Sequence, residues 1–277
     1  MNASWRRKPV YSFIKTETRI SVNNKTLMII TDLDRSLLDN ERRITAYSKN
    51  VFQKCIEDGI VIVFATARPL RATRIFYDSI SPHAVICHNG AVVYVHEKRI
   101  FQCGIESRVA AELLKTIIKK YPGVNLAVEA NDVIYSNFDP GIYWKDIESK
   151  KLDIENLWPG NLDKIIIGLE LIDDVNEAAK LLPGGLYLET SEGEIGLIMN
   201  RGATKWNGIK ELLRHFGMEE ENTIAFGDDY NDIEMIEKCG TGIAMENGIA
   251  EIKNRARFIC GCNNRDGVAK WIEEYVL

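Results

Sequence analysis

The sequence predicts an α/β fold, in which a parallel sheet covered by helices on both faces is interrupted by an α+β insert. Three observations predict it. Short strands that are apolar throughout alternate with helical patterns at both ends of the chain. Three of those strands run straight into polar residues, and the middle third changes to hairpin signals. Strands without polar alternation are buried on both faces, which a parallel sheet flanked by helices provides.

The elements follow in order from Leu27. Leu27-Met28-Ile29-Ile30 is a buried strand. A helix then opens on Thr45 as N-cap, sets Val51, Phe52, Cys55 and Ile56 on one face, and stops at Gly59. Val61–Phe64 is a strand, the pattern near Leu70–Ile80 predicts a helix, and Ala84–Cys87 is a strand. Asn89-Gly90 between apolar runs signals a hairpin of type I′ character. A helix opened by Ser107 follows, then a hairpin around Asn131-Asp132 and a strand over Ile165–Leu171. A short helix near Val175–Leu182 and a hairpin around Glu192-Gly193 complete the insert. After Asn200 the α/β rhythm resumes: helix Thr204–Phe216, strand Thr223–Phe226, helix Asp232–Lys238 and strand Thr241–Met245. A helix near Ile249–Arg255, strand Phe258–Cys260 and helix Val268–Tyr275 end the chain. The expected division is a core of residues 1–88 and 200–277, with 1–25 as an N-terminal extension, and an insert at 89–199.

In a parallel sheet, ligands bind beyond the carboxyl ends of the strands. Asp32 stands at such an end, with Asp34 two residues on. Val61–Phe64 leads to Thr66 and Arg68, and Thr223–Phe226 leads to Asp228 and Asp232. Convergence of these ends assembles Asp32, Asp34, Thr66, Asp228 and Asp232 around one point. Crowded carboxylates repel one another unless a cation neutralises them, and Mg²⁺ suits a few oxygen ligands beside a phosphate. Thr66 offers a hydroxyl to a phosphate oxygen, and Lys205 near a helix start offers a fixed positive charge. Arg68 has two readings, a contact to substrate or insert and an ion pair with a nearby carboxylate. The insert aromatics Tyr135, Phe138, Tyr143, Trp144 and Trp158 either line a substrate pocket or fill a small core. His83, His88, His96 and His215 show no mutual metal spacing; His88 is set apart by its place beside Asn89 at the core–insert junction.

Composition bounds the rest. The chain has 277 residues, 45% hydrophobic and 27% charged, with a formal net charge of −5. That balance disfavours nucleic acid and anionic membranes as partners, since both demand clustered Lys and Arg. No stretch approaches the roughly 18 apolar residues of a membrane span. The six cysteines lack CxxC spacing and read as reduced thiols, which fits the cytoplasm.

These residues carry a resemblance. Residues 27–277 resemble the haloacid dehalogenase-like superfamily, in particular its Cof-type branch, whose α+β cap lies between the second and third motifs. Asp32-Leu33-Asp34-Arg35-Ser36 is similar to the first motif, Asp-x-Asp-x-Thr. Thr66 in Ala65-Thr66-Ala67-Arg68-Pro69 is similar to the second, Lys205 to the third, and Gly227-Asp228-Asp229-Tyr230-Asn231-Asp232 to the fourth. His88-Asn89-Gly90-Ala91 resembles the branch's turn into the cap. Arg35 stands where the branch commonly has Gly, Ser36 where it has Thr, and Ala67 where it has Gly. At a position with φ > 0, Arg costs on the order of 1 kcal/mol. Its side chain could also reach the site mouth and select an acidic leaving group.

The resemblance implies a three-layer Rossmann-like core with a parallel sheet and an inserted cap. It implies a Mg²⁺-dependent phosphatase acting on small phosphorylated metabolites such as sugar phosphates. Asp32 would be the nucleophile and Asp34 the general acid and base. The metal would be held by Asp32, the Asp34 carbonyl and Asp228, with Asp232 in support. Thr66, Lys205 and Asn231 would hold phosphate, with Arg68 and Asn89 as further substrate contacts. A phosphotransferase or phosphomutase using the same phosphoaspartate is the alternative. A receiver-like signalling domain is the rival outside catalysis, but it would be far shorter and would not need Asp34.

Overall fold

The structure is a computed structural model and describes residues 27–277, apart from Asp146, Trp158 and Glu192. The expected N-terminal extension, the Trp158 reading and the centre of the Glu192-Gly193 turn therefore lie outside the described residues.

The first segment holds β1 (Met28–Thr31), α1 (Ala46–Glu57), β2 (Val61–Ala65), β3 (Ala84–Cys87), β4 (Val92–Val95) and β5 (Lys98–Gln102). The middle segment holds β6 (Ile105–Glu106), α2 (Ser107–Lys120), β7 (Leu126–Ala130), β8 (Val133–Ser136), β9 (Lys150–Lys151), β10 (Asn161–Leu162), β11 (Lys164–Gly168), α3 (Val175–Ala179), β12 (Leu186–Ser191) and β13 (Ile195–Asn200). The last holds α4 (Lys205–Phe216), β14 (Thr223–Gly227), α5 (Ile233–Lys238), β15 (Thr241–Met245), α6 (Ala250–Arg255), β16 (Phe258–Cys260) and α7 (Gly267–Tyr275).

Strands from both ends of the chain form one eight-stranded sheet, in the order β16-β15-β14-β1-β2-β3-β4-β5. The first six are parallel, and β4 and β5 are antiparallel to their neighbours. Neighbouring residues of β1 serve opposite faces, as the pleat requires. Ile29 joins a cluster with Phe52 of α1 and Trp271 of α7, while Met28 and Ile30 join one with Trp206 and Leu212 of α4. The sheet is thus the middle of three layers, as the apolar strands predicted. Burying each such side chain contributes about 1.5–3 kcal/mol, which fixes β1 at the centre of the sheet.

The middle segment forms a second, six-stranded sheet, β12-β13-β11-β7-β8-β9, beside the β10–β6 pair. One face is covered by α2 and α3, through Leu113, Leu114, Ile117 and Ala178. The other carries Ala127, Ile134, Ile166, Leu197 and Met199, with Phe138, Tyr143 and Trp144 packed against them. Those three aromatics stack edge to face at 5.4 and 5.6 Å, and Tyr135 packs on the helix-covered side. They serve as core.

Two expectations are corrected. Residues 92–102, read in the sequence as insert, are strands of the first sheet, so a division at residue 89 falls inside that sheet. The hairpin signal itself holds, but the left-handed residues begin one position early, with φ of 49° at His88, 55° at Asn89 and 104° at Gly90. The helix expected near Leu70–Ile80 is two short 3₁₀ turns, Leu70–Ala72 and Arg74–Phe76. The Thr73 hydroxyl donates to the Leu70 carbonyl at 2.7 Å between them. The three-residue spacing sets Arg71 and Arg74 close together, where both meet Asp132 and Arg71 also meets Glu129.

Candidate active site

The three strand ends converge. Asp32 follows β1, and its N–H donates to the Phe226 carbonyl of β14 at 3.0 Å. Thr31 is in register with Phe226 on one side and Phe64 on the other, which sets Asp32, Asp228 and Thr66 on the same edge. Asp32, Asp228 and Asp232 are all buried, and each offers a carboxylate oxygen within 4.8 Å of the others.

Lys205 neutralises part of this charge. It is the first residue of α4, where the Thr204 hydroxyl caps the helix by accepting the Asn207 N–H at 3.1 Å. Its ammonium is fully buried and donates to Asp32 at 2.7 Å and Asp232 at 2.5 Å. Burial pulls its proton affinity down, but Asp232 and Asp32 outweigh burial, and the net shift is upward. Burial pushes the Asp32 carboxyl well above its ordinary range, and Asp232 and Asp228 add to this against the pull of Lys205. Burial, with Asp232 beside it, likewise lifts Asp228 to about 7, against the opposing effects of Ser36, Lys205 and Arg35.

Asp232 is held more completely than its neighbours. One oxygen accepts the N–H groups of Asp228 and Asp229 at 2.9 and 3.2 Å, while the other accepts from Lys205. This closure depends on Gly227, since a Cβ there would lie 2.5 Å from the Asp232 Cβ. The donor set fits a hard divalent cation: three buried carboxylates against one ammonium leave an excess of negative charge that burial cannot tolerate alone. Asp232, already bonded through both oxygens, suits a supporting place, and Asp32 and Asp228 the direct ones.

The segment after Asp32 makes a wide turn, in which Leu37 N–H donates to the Asp32 carbonyl and Leu38 N–H to the Leu33 carbonyl. Arg35 in this turn has φ 62°, the left-handed conformation for which Gly is better suited. Its side chain is 63% exposed, lies 3.7 Å from Asp228 and donates to the Asn247 carbonyl at 3.2 Å. The Ser36 hydroxyl donates to Asp228 at 3.1 Å, so the serine keeps an orienting bond to the cluster. The Asp34 carboxylate stands outside the three-carboxylate group and is held by both arms of Arg68, at 2.7 and 2.5 Å. Of the two readings of Arg68, the ion pair is the one the structure contains.

Thr66 is buried at the end of β2, and its hydroxyl oxygen accepts the Arg68 N–H at 3.1 Å, which leaves its proton free to be donated. Asn231 donates to the Asn89 side-chain oxygen at 3.0 Å, linking the fourth-motif turn to the β3–β4 turn. His88 is buried, and its Nδ1 has no partner among the described residues. Burial, with Lys164 and Arg71 adding to it, holds this imidazole neutral, well below its usual range.

The sequence reading missed the contacts between the two sheets. Arg71 grips Glu129 of β7 through both terminal nitrogens at 2.8 and 2.7 Å, and Arg74 reaches Asp132 at 2.9 Å. The signal was a lone acid inside the apolar run Leu126–Ala130, with arginines spaced three apart. It missed Tyr187, Glu189 and Arg201 as well, which line a cavity with Asn89, Lys205 and Asn231.

Known proteins share the sequence pattern and the fold of this chain. The sequence profile of the haloacid dehalogenase-like hydrolases matches residues 29–272. The chain is 26% identical over 275 residues to the 5-amino-6-(5-phospho-D-ribitylamino)uracil phosphatase YitU of Bacillus subtilis, covering 92% of this chain and 99% of that protein. The crystal structure of TM0651 from Thermotoga maritima superposes with a TM-score of 0.82 at 22% identity, covering 91% of this chain and 98% of that one. The subclass IIB sugar phosphatase BT4131 superposes with a TM-score of 0.76 at 22% identity, covering 90% and 99%.

Proposed function

The chain belongs to the haloacid dehalogenase-like hydrolases, and from that premise we propose that it is a Mg²⁺-dependent phosphatase of small phosphorylated metabolites, with Asp32 as the phosphate-accepting nucleophile. The observation that carries the reading is the buried meeting of Asp32, Asp228 and Asp232 with the Lys205 ammonium on two of them. The YitU relative is named for a phosphorylated ribitylamino compound, which supports a small phosphate monoester as substrate.

Asp32 and Asp228 would hold the metal directly, with the Asp34 carbonyl, and Asp232 would support them. When bound, the cation supplies positive charge that lets an anionic phosphoryl group approach an anionic nucleophile. Lys205 does the same from the protein side, and the two hydrogen bonds it donates, to Asp32 and Asp232, fix it in place beforehand. Thr66 donates its hydroxyl proton to a phosphoryl oxygen, and Asn231 supplies a further amide donor.

An Asp32 oxygen attacks phosphorus, the bond from phosphorus to the ester oxygen breaks, and the leaving alcohol takes a proton from Asp34. Water then attacks the phosphoaspartate, gives its proton to Asp34 and releases phosphate from Asp32. General acid and base assistance of this kind contributes roughly 10²–10⁴-fold. In the structure both Asp34 carboxylate oxygens are engaged by Arg68. The first step requires Arg68 to let go, and an arriving substrate oxygen is a competing partner for the guanidinium.

The reading extends to the cytoplasm as compartment, supported by six free cysteines. Among the described residues no helix is long and apolar enough to cross a membrane.

The test is a screen of phosphorylated metabolites with Mg²⁺, run for the parent and for Asp32→Asn. Turnover should fall by at least about 10³-fold in the variant, and chelation by EDTA should abolish the parent's activity. Equal rates for parent and variant on the best substrate would overturn the mechanism.

A further inference from the structure

Between the second sheet and the first lies a cavity of about 460 Å³, lined by Asn89, Tyr187, Glu189, Arg201, Lys205 and Asn231 among others. Lys205 joins it to the carboxylate centre, because this residue is among those lining the cavity and its ammonium is bonded to Asp32 at 2.7 Å. The alcohol portion of a monoester whose phosphoryl group meets Asp32 therefore has this cavity beside it.

The second sheet contributes β12 to the wall. Tyr187 and Glu189 lie two residues apart on one face of that strand, opposite Met199 and Leu197 of β13. Around them the face carries Ala127, Ile166, Leu197 and Met199, and its charged pair Glu129 and Lys164 belongs to β7 and β11. A carboxylate placed there needs a hydrogen-bond donor or water. Glu189 is half-buried, and no described residue forms a hydrogen bond or ion pair with it. Burial and the nearby Asp229 raise its proton affinity, while Lys205 lowers it, so its surroundings favour an arriving proton donor. The charges lining the cavity disfavour an anion. Glu189 and Glu234 face one exposed guanidinium, Arg201, and an ammonium already bonded to two aspartates.

We propose that Glu189 is a specificity-determining residue, accepting a hydrogen bond from a hydroxyl of the leaving alcohol, so that monophosphates of neutral, hydroxyl-rich alcohols are preferred over those bearing a second anionic group. The proposal rests on the phosphatase reading and names the substrate class of that same site. A hydrogen bond to a carboxylate in a partly desolvated cavity changes kcat/KM by roughly ten- to a hundredfold.

The experiment compares the parent, Glu189→Gln and Glu189→Ala on three monoesters with Mg²⁺: sorbitol 6-phosphate, phenyl phosphate and 3-phosphoglycerate. In Glu189→Ala, kcat/KM for sorbitol 6-phosphate should fall roughly ten- to a hundredfold, while phenyl phosphate, which has no hydroxyl to offer, stays within about threefold. In Glu189→Gln, 3-phosphoglycerate should gain relative to sorbitol 6-phosphate, because the repelling charge is gone. Unchanged preferences, or an equal loss on all three substrates, overturn the role of Glu189 and leave the phosphatase reading standing as long as the parent turns over phenyl phosphate. A parent that hydrolyses none of the three, with Mg²⁺ present, overturns both.

Discussion

Arg71→Met should destabilise the protein far more than loss of an ordinary surface ion pair, and the structure sets the size of the effect. Glu129 is only 3% exposed in its side chain, and Arg71 is 25% exposed. The flanking residues of β7, Leu126–Val128 and Ala130, are buried, so water cannot replace the guanidinium at the carboxylate. Breaking a buried pair by removing one partner costs about 3–5 kcal/mol. Lys164 faces Glu129 in the β11–β7 register and is electrostatically coupled to it, which places the expected loss near the lower end, about 3 kcal/mol. Removing both charges in Arg71→Met/Glu129→Met leaves no orphaned carboxylate, Lys164 loses a repelling guanidinium along with Glu129 and keeps Asp163 nearby, and Asp132 keeps Arg74 at 2.9 Å. The double variant should therefore lose only about 1 kcal/mol. With Glu129→Met alone costing about 1–2 kcal/mol, the coupling is about 3–4 kcal/mol. Urea unfolding of the four proteins measures it. An Arg71→Met loss below about 1 kcal/mol, or strict additivity of the two single changes, would refute the claim that this pair fastens the two sheets together.

Two further outcomes follow from single residues. Asp163 is buried with one carboxylate oxygen unpartnered among the described residues, and burial, with Glu129 adding to it, lifts its pKa from 3.8 to about 6, against Gln102. A raised folded value stabilises fully below pH 3.8 and is lost as pH climbs through about 6, where the ionised form costs about 3 kcal/mol. Asp163→Asn should thus be more stable than the parent by up to that amount at pH 7.5 and equal to it at pH 3.5; a difference independent of pH in denaturation curves contradicts this. Gly90→Ala should lose on the order of 3 kcal/mol or more, since φ is 104° and a Cβ would lie 2.0 Å from the Thr204 carbonyl oxygen. A melting temperature within about 2 °C of the parent would show that the turn and α4 can move apart freely.

What was legible in the sequence was whatever local pattern decides. The apolar runs ending at Ile30, Phe64 and Phe226 announced a parallel sheet, and the polar residues beyond them announced a candidate site, because strand direction and pleat alone set where those residues go. The cap at Thr45 and the Asn131-Asp132 turn were equally local, the latter with φ of 51° and 62°. The sheet membership of β4 and β5 was not local. An antiparallel hairpin added to a parallel sheet has the same pattern as one that opens a new module, and only its partner strand distinguishes them. The helix expected near Leu70–Ile80 failed for a related reason: Arg71 and Arg74 are drawn to Glu129 and Asp132, 58 residues away, and three-residue spacing serves them better than 3.6. Glu189 escaped notice because its meaning lies in the face around it, which pairing with β13 creates.

The acidic centre also shows why so few residues suffice to specify it. Three carboxylates in one buried place would drive their strands apart, and two close approaches of backbone prevent this. Gly227 lacks the Cβ that would hold Asp232 off, so Asp232 closes onto the Asp228 and Asp229 amides. Gly90 lets the β3–β4 turn abut the Thr204 carbonyl, which seats the first turn of α4 and brings Lys205 between Asp32 and Asp232. Each glycine permits a contact between segments over a hundred residues apart or within one turn, and each contact places a charge that the other carboxylates need. The charge that remains unbalanced, on Asp32 and Asp228, is the part of the site that a cation and a phosphoryl group would complete on the proposed reading.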